Sequence, residues 1–269
     1  MPTDEQRALW AAIRANPADD TPRLVYADWL QEHGDEARAE FIRVQCALAR
    51  IGPDRRKHRK ERPTLEARQQ KLLRAHYEWA APFRVRLKGG KRWDPEDRWL
   101  RRPIFRRGFL DASNFELATA RLLADAGDEL EPVDSVQISD CQASYNHDNV
   151  LAICRWPGAG CVVWFSIAGG DDRDITAVTR SDSLVNLSYL GLCGGSVTDA
   201  GVEDLAAWPH GAKLRSLDLQ ENPLTDRAAC LIADSHHLSN LTYLGLNRTQ
   251  ISRSGFARLL KRFGTALRV

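Results

Sequence analysis

A leucine pattern with a constant spacing is the feature of this sequence that most restricts how the chain can fold. The pattern reads Leu-x-x-Leu-x-Leu-x-x-Asn-x-Leu, where x is any residue. Its three clear copies occupy residues 187–197, 214–224 and 241–251. Their second leucines, Leu190, Leu217 and Leu244, are 27 residues apart. A period of this length predicts an array in which one small unit stacks on the next.

Two degenerate copies precede these three, at residues 133–141 and 162–170. Their central positions, Val136 and Phe165, are 29 residues apart, and 25 residues separate the second from the next copy. The Asn position holds Cys141 in the first of them, and Gly or Thr in two of the clear copies. An Asn, Cys or Thr side chain at this position can hydrogen-bond the backbone that is exposed where the chain leaves a strand.

Each repeat divides into a predicted strand and a predicted helix. The Leu-x-Leu run predicts a short strand whose leucines point into the core, because side chains alternate between the two faces of a strand. The rest of each repeat is predicted to return as a helix, and three favourable N-caps precede these helices: Thr198, Thr225 and Ser252. A strand at 104–111 and a helix at 115–126 are expected to cap the first repeat, and 267–269 to start a last strand.

A 27-residue period with helical returns resembles the longer, ribonuclease-inhibitor-like class of leucine-rich repeat. The resemblance implies an arc with parallel strands on its concave face and helices on its convex face. The predicted fold class is therefore α/β, with a small N-terminal helical domain in front of a short leucine-rich-repeat solenoid.

The first 50 residues are predicted to form a compact helical unit, and a fourth helix is predicted from Thr64 to about Ala80. Residues 17–35 and 38–45 closely resemble the repeat-companion domain, a small helical domain found in front of leucine-rich repeats in many proteins of environmental bacteria. The resemblance implies a helical cap fused to a repeat arc, and it carries no catalytic residues with it.

The segment 20–30 has two interpretations. Asp20, Arg23, Asp28 and Trp29 could form a docking or catalytic cluster. Alternatively, the segment is a capped helix whose aromatic residues pack into a small bundle. The Thr-Pro start of the segment favours the helix, because a capping residue followed by proline is typical of a first turn.

Composition excludes several classes of protein. Apolar residues make up 43% and charged residues 28% of the 269 residues, as in an ordinary globular protein. No window approaches the run of about 18 apolar residues that a membrane span needs, and the polar N-terminus does not resemble a secretory signal. We therefore expect a cytoplasmic protein whose six cysteines are reduced thiols.

Charge is distributed unevenly along the chain. Residues 51–107 hold 19 Lys and Arg against 7 Asp and Glu, a net charge of +12, while the remainder carries −10. Basic side chains there could neutralise phosphates, with Trp93 and Trp99 available to stack on bases. The alternative prediction is therefore a nucleic-acid-associated subunit that uses segment 55–107. Its contacts would be Arg55, Arg56, Lys57, Arg59, Lys60, Arg62, Arg84, Arg86, Lys88, Lys91 and Arg92. An isoelectric point of about 8.2 instead favours a solvated basic connection, since dedicated nucleic-acid domains are more basic.

The concave face of the predicted arc is the main candidate binding surface. Trp164, Tyr189 and Tyr243 take equivalent outward positions in three strands, and aromatic side chains are frequent anchors of protein interfaces. The polar residues expected beside them are Ser216, Asp218, Gln220, Glu221, Asn247 and Arg248. Alternatively, the aromatic side chains only cover neighbouring strands.

Sequence motifs for catalysis or for metal binding are not found. The chain has no nucleophile elbow, phosphate loop or dinucleotide fingerprint. Its cysteines and histidines lack the C-x-x-C and H-x-x-x-H spacings that are typical of zinc sites. We therefore expect no catalytic residues, no metal and no cofactor.

The sequence predicts three regions. Residues 1–83 are a helical repeat-companion domain with a basic linker, 84–130 a basic connection with the capping elements, and 131–269 the repeat arc. The predicted function is a non-enzymatic interaction module that binds a protein partner on the concave face, as a regulatory or adaptor subunit.

Overall fold

The structure is a computed structural model, and it describes residues 2–51, 60–76, 79, 104–112, 132–138 and 147–268. The predicted capping helix at 115–126 and the Cys141 position lie outside these residues. None of the described helices is both long enough and apolar enough to cross a membrane.

Four helices form the N-terminal part of the described chain. They are α1 (Asp4–Ala15), α2 (Thr21–Glu32), α3 (Glu36–Ile51) and α4 (Glu61–Ala75). Local sequence explains where the first two begin. The Thr3 hydroxyl accepts the Gln6 N–H at the start of α1, and Pro22 lies in the first turn of α2.

Residues 21–30 are helical and pack in a small bundle, as the second interpretation predicts, but the predicted cap is wrong: Thr21 is the first residue of the helix, and the Asp20 side chain makes no capping hydrogen bond. Tyr26 is fully buried in the core that the first three helices share. Asp28 pairs with Arg43 at 2.6 Å on the surface, and Asp20 pairs with two arginines from other elements. These side chains hold helices together rather than converge on a common cleft.

In the described part of the chain, eight strands form one sheet, and their order in the sheet is their order in the chain. They are β1 (Ile104–Arg106), β2 (Phe109–Ala112), β3 (Val133–Ile138), β4 (Trp164–Ala168), β5 (Tyr189–Cys193), β6 (Ser216–Asp218), β7 (Tyr243–Gly245) and β8 (Leu267–Arg268). β1 and β2 are antiparallel, and every later pair is parallel. Parallel neighbours require crossover connections.

A helix follows each strand from β3 to β7. These helices are α5 (His147–Arg155), α6 (Asp172–Thr179), α7 (Asp199–Ala207), α8 (Asp226–Asp234) and α9 (Arg253–Phe263). Short 3-10 turns at Pro157–Cys161, Pro209–Lys213 and Gly264–Ala266 lead into β4, β6 and β8. The predicted N-caps Thr198, Thr225 and Ser252 are confirmed, because each side chain accepts a backbone N–H from the first turn.

The sequence period is visible in the register of the sheet. Leu190 pairs with Leu217, and Leu217 with Leu244, so residues one period apart lie side by side. The degenerate copies keep this register, with Val136 opposite Phe165. The buried residues of these strands and of α5–α9 form one continuous core, so the helices cover one face of the sheet. Helices packed on a mainly parallel sheet confirm the predicted α/β class.

The Asn position of the pattern stabilises the end of the strand as expected. Asn222 is only 2% exposed; its Nδ2 donates to the Leu192 carbonyl at 2.6 Å, and its Oδ1 accepts the Val197 N–H at 3.0 Å. Gly195 holds the same position one repeat earlier. A Cβ there would lie 2.1 Å from the carbonyl oxygen of Gly170, so no side chain fits.

The β1–β2 hairpin joins the N-terminal helices to the sheet. Phe109 of β2 is buried in the helical core, whereas Phe105 of β1 is buried in the core of the sheet. Arg38 of α3, 3% exposed, lies close to both, with its guanidinium carbon 5.5 Å from the Phe105 ring and 5.9 Å from the Phe109 ring. The hairpin therefore belongs to both cores.

Two boundaries differ from the sequence predictions. Residues 104–111 form a hairpin rather than one strand, because Arg107 and Gly108 have φ angles of 48° and 91° and turn the chain back. Helix α4 begins at Glu61 and ends at Ala75, whereas the sequence predicted a helix from Thr64 to about Ala80. Residues 61–63 are therefore helical as well. Pro63 lies in the first turn of α4, where a missing N–H costs no hydrogen bond.

Candidate binding face

The face of the sheet opposite the helices, which we call the open face, carries three rows of side chains. Residues two apart in a strand share this face, and the register aligns them across neighbouring strands. The first row is Trp164, Tyr189, Ser216 and Tyr243; the second is Ser166, Gly191, Asp218 and Gly245. The third is Ala168, Cys193, Gln220 and Asn247, which continues past the ends of β6 and β7.

The three aromatic residues that the sequence indicated lie in the first row and are partly exposed. The rings of Trp164 and Tyr189 are stacked, with 4.7 Å between centroids and 12° between planes. Tyr243 lies two strands from Tyr189, with Ser216 between them. The structure thus brings two of the anchors into contact and places the third apart from them.

Each tyrosine lies over the glycine two residues later in its own strand. A Cβ at Gly191 would lie 2.6 Å from Tyr189 Oη, and one at Gly245 would lie 3.0 Å from Tyr243 Oη. Both glycines are buried. A larger residue at either position would displace the ring, so the two glycines allow the tyrosines to lie along the sheet.

Asp218 lies between these two glycines and is 8% exposed. Its carboxylate accepts hydrogen bonds from Gln220, whose Nε2 is 2.8 Å from both Oδ1 and Oδ2 and whose backbone N–H is 3.3 Å from Oδ1. Among the described residues, no cationic side chain lies within ion-pair distance of this carboxylate. The Cys193 thiol also hydrogen-bonds the Asp218 side chain, so neutral donors hold this buried carboxylate in place.

The Asp218 carboxylate influences the groups around it. Burial, followed by the charge of Asp218, raises the pKa of the Tyr189 and Tyr243 hydroxyls above their usual range. The same two causes raise the pKa of the Cys193 thiol to about 12. Both hydroxyls and this thiol are therefore protonated at neutral pH and available as hydrogen-bond donors.

Four of the predicted polar residues form a rim where the chain leaves β6 and β7: Gln220, Glu221, Asn247 and Arg248. Glu221 and Arg248 occupy equivalent positions, have positive φ angles of 57° and 55°, and form an exposed ion pair at 2.6 Å. Gly194 holds this position after β5 with a φ of 67°. The Asn247 carbonyl accepts the Glu221 N–H at 2.9 Å. The rim residues are thus adjacent, although an exposed ion pair adds little to stability.

The basic residues of the nucleic-acid interpretation lie mostly outside the described residues. Lys60 is exposed just before α4, and Arg62 pairs with Glu66 at 2.8 Å within that helix. The others fall outside: Arg55, Arg56, Lys57, Arg59, Arg84, Arg86, Lys88, Lys91 and Arg92.

A polar cluster that the sequence reasoning missed joins α5 to α6. His147 Nδ1 lies 2.6 Å from Oδ1 of the fully buried Asp174, and with Asp171 their ligand atoms lie within 4.8 Å of one another. Both carboxylates have other partners, since Asp174 accepts the Asp171 N–H and Asp171 pairs with Arg173. The group could hold a metal only by giving up these contacts. The sequence signal for this cluster is that His147 and Asp174 are 27 residues apart, which is one period of the repeat.

Two of the buried thiols, those of Cys46 and Cys154, are surrounded by apolar groups. Burial raises the pKa of Cys46 and of Cys154 to about 12, so both are protonated at neutral pH.

Comparison of the chain with models of known protein families and with curated protein sequences gives no match.

Proposed function

We propose that residues 131–269 form a leucine-rich-repeat arc of the ribonuclease-inhibitor-like class, with residues 1–83 as a helical repeat-companion domain in front of it. The order of the strands, their one-period register and the packing of each helix on the next support this proposal. Units that contact only their neighbours are what a repeat array requires. The open face is then the concave surface of the arc, and the β1–β2 hairpin caps its first repeat.

The protein is, in this proposal, a non-enzymatic cytoplasmic module that binds a protein partner on the open face, as an adaptor or regulatory subunit. The observation that carries the proposal is the stacked pair of Trp164 and Tyr189. It is partly exposed on the sheet surface opposite the described helices. Rigid aromatic side chains bury a large area at a low entropic cost, which makes them effective anchors.

The polar groups around the stack provide the directional contacts that an interface also needs. Asp218 and Gln220 lie in the rows beside it, and Glu221 and Arg248 lie at the rim. In known interfaces a few central anchors carry most of the binding energy, and truncating one typically costs about 2 kcal/mol or more. A loss of that size corresponds to roughly 30-fold in Kd.

Affinity capture tests the proposal. The tagged full chain is used to capture material from a lysate of its native host, with and without nuclease, and the retained proteins are identified by mass spectrometry. We expect one discrete protein that survives nuclease treatment. Trp164→Ala and Tyr189→Ala should each reduce its recovery by at least about tenfold.

A matched control is Leu260→Ala, which removes a side chain that is 58% exposed on α9, away from the open face. This variant should retain the partner. Equal recovery by all variants would contradict the proposed face. Retention of nucleic acid alone, or loss of the captured protein with nuclease, would favour the nucleic-acid alternative instead.

A further inference from the structure

The centre of the open face contains a carboxylate whose surroundings are suited to a cation. Asp218 is 8% exposed, and its side-chain partners among the described residues are neutral: the amide of Gln220 and the thiol of Cys193. A buried carboxylate without a counter-ion is costly unless hydrogen bonds or a cation compensate it. Neutral donors compensate it only in part, because a charged donor makes a stronger hydrogen bond to a carboxylate.

The position of the Gln220 amide shows where a cation would lie. Its nitrogen is 2.8 Å from both carboxylate oxygens, midway between them. A donor group from a guanidinium can approach a carboxylate from this side. Gln220 is partly exposed and lies just after β6, so its side chain can rotate away without disturbing the sheet.

The walls of this site are formed by the two tyrosines. Tyr189 Oη lies over Gly191 and Tyr243 Oη over Gly245, the residues on either side of Asp218 in the sheet. Gln220 Nε2 is 3.5 Å from Tyr243 Oη, so a group in its place would contact that hydroxyl as well. The oxygen of a tyrosine hydroxyl has lone pairs that can accept hydrogen bonds from a cation.

We propose that Asp218 receives an arginine side chain from an extended segment of the protein partner, and that its guanidinium takes the place of the Gln220 amide. This inference rests on the proposed function, because it names the group that the partner presents to the open face. The complementarity of charge supports it: the site offers a negative group, aromatic rings and hydroxyl acceptors. A planar guanidinium can pair with a carboxylate and stack on aromatic rings at once, which an ammonium cannot.

Panning of a displayed random-peptide library on the full chain tests the inference without knowledge of the partner. We expect peptides enriched in arginine, whose affinity falls at least about tenfold with Asp218→Asn, the loss expected for a charge-assisted hydrogen bond. Replacing the critical arginine by citrulline, its neutral analogue, should cause a similar loss. The two losses should not add in a double-mutant cycle, because each removes the same ion pair.

Two variants serve as controls. Glu203→Gln removes an exposed carboxylate on α7, among the helices and outside the open face, and should change the affinity less than about twofold. Gln220→Ala removes the competing amide and should leave the affinity unchanged or higher; a tenfold loss would contradict the exchange of guanidinium for amide. Circular dichroism of each variant establishes that it is folded.

The outcomes separate this inference from the proposed function. Peptides without arginine that bind the face and are lost with Trp164→Ala would overturn the inference and leave the proposed function standing. The same holds for arginine peptides whose affinity is unchanged by Asp218→Asn. Failure of the library to yield any binder would also count against the arginine site, whereas the capture of a partner tests the proposed function independently.

Discussion

Asp226, the first residue of α8, binds the N-cap of the next helix through both carboxylate oxygens. Its Oδ1 accepts the Ser252 N–H at 2.7 Å, and its Oδ2 accepts the Ser252 hydroxyl at 2.6 Å. Two further pairs make the same contact: Asp199 with Thr225, and Asp172 with Thr198. The start of each helix therefore positions the start of the following one, on the side of the molecule away from the open face.

Replacing Asp199 by alanine should destabilise the fold through this contact. The Thr225 N–H and hydroxyl both lose their acceptor, and the helix that Thr225 caps loses one of its contacts with α7. We expect the free energy of unfolding to fall by about 1–2 kcal/mol, as for the loss of a helix cap. Urea denaturation measures it. The exposed Asp182→Ala should change it by less than about 0.5 kcal/mol, and equal effects of the two variants would contradict this role.

The contact at Asp226 predicts a pH dependence. The hydroxyl of Ser252, followed by its N–H, lowers the pKa of Asp226 below its usual 3.8. A lower pKa in the folded state means that this contribution to stability is present above the unfolded-state pKa and is lost as the pH falls through the folded-state pKa. The stability difference between wild type and Asp226→Asn should therefore be constant near neutral pH and shrink below about pH 4. A difference that grows on acidification would contradict this sign.

The buried Asn222 should be among the most sensitive polar positions. Its side chain donates to the carbonyls of Leu192 and Leu219 at 2.6 and 3.1 Å and accepts the Val197 N–H, so Asn222→Ala leaves several buried groups without partners. We expect a loss of about 2–4 kcal/mol in urea denaturation. Thr249 holds the equivalent position and makes one hydrogen bond, to the Leu246 carbonyl at 3.0 Å. Thr249→Ala should cost about 1 kcal/mol, and a reversed order would be inconsistent with this role.

Arg38 should couple the N-terminal helices to the sheet. Its guanidinium carbon lies 5.1 Å from the Trp79 ring centre and 5.6 Å from that of Phe41, in addition to the two hairpin rings. Arg38→Ala should lower the unfolding free energy by about 2–4 kcal/mol and increase hydrogen exchange in the β1–β2 hairpin. Arg38→Lys keeps the charge but not the planar group, and should be intermediate. Unchanged exchange in the hairpin would show that Arg38 does not couple the two parts.

The parts of this fold that the sequence predicted are those that repeat. Leu190, Leu217 and Leu244 indicated the register because neighbouring parallel strands place equivalent residues side by side. The N-caps at Thr198 and Thr225 followed from local preferences that act within one turn of a helix. The register follows from a spacing that recurs along the sequence, and each N-cap follows from residues that are close together in it.

The parts that the sequence did not predict depend on side chains that meet only in the folded chain. The turn at Arg107 and Gly108 was missed because arginine rarely adopts a positive φ. In the folded chain the Arg107 guanidinium donates to the Ala18 carbonyl at 2.7 Å, a contact between residues far apart in the sequence. The fold of Gln220 onto Asp218 has no sequence signal, because two polar residues at this spacing are common on any strand. Asp218 was expected among the polar residues of this face, but its burial between Gly191 and Gly245 could not be predicted from the sequence.

Site-specific photo-cross-linking tests the central claim most directly. A benzophenone amino acid replaces Ser216, which lies between Tyr189 and Tyr243 in the first row of the open face. The comparison variant carries it in place of the exposed Glu203 on α7, among the helices. Binding of a partner on the open face predicts a cross-linked complex from position 216 and none from position 203. Cross-linking from position 203 alone would contradict the account.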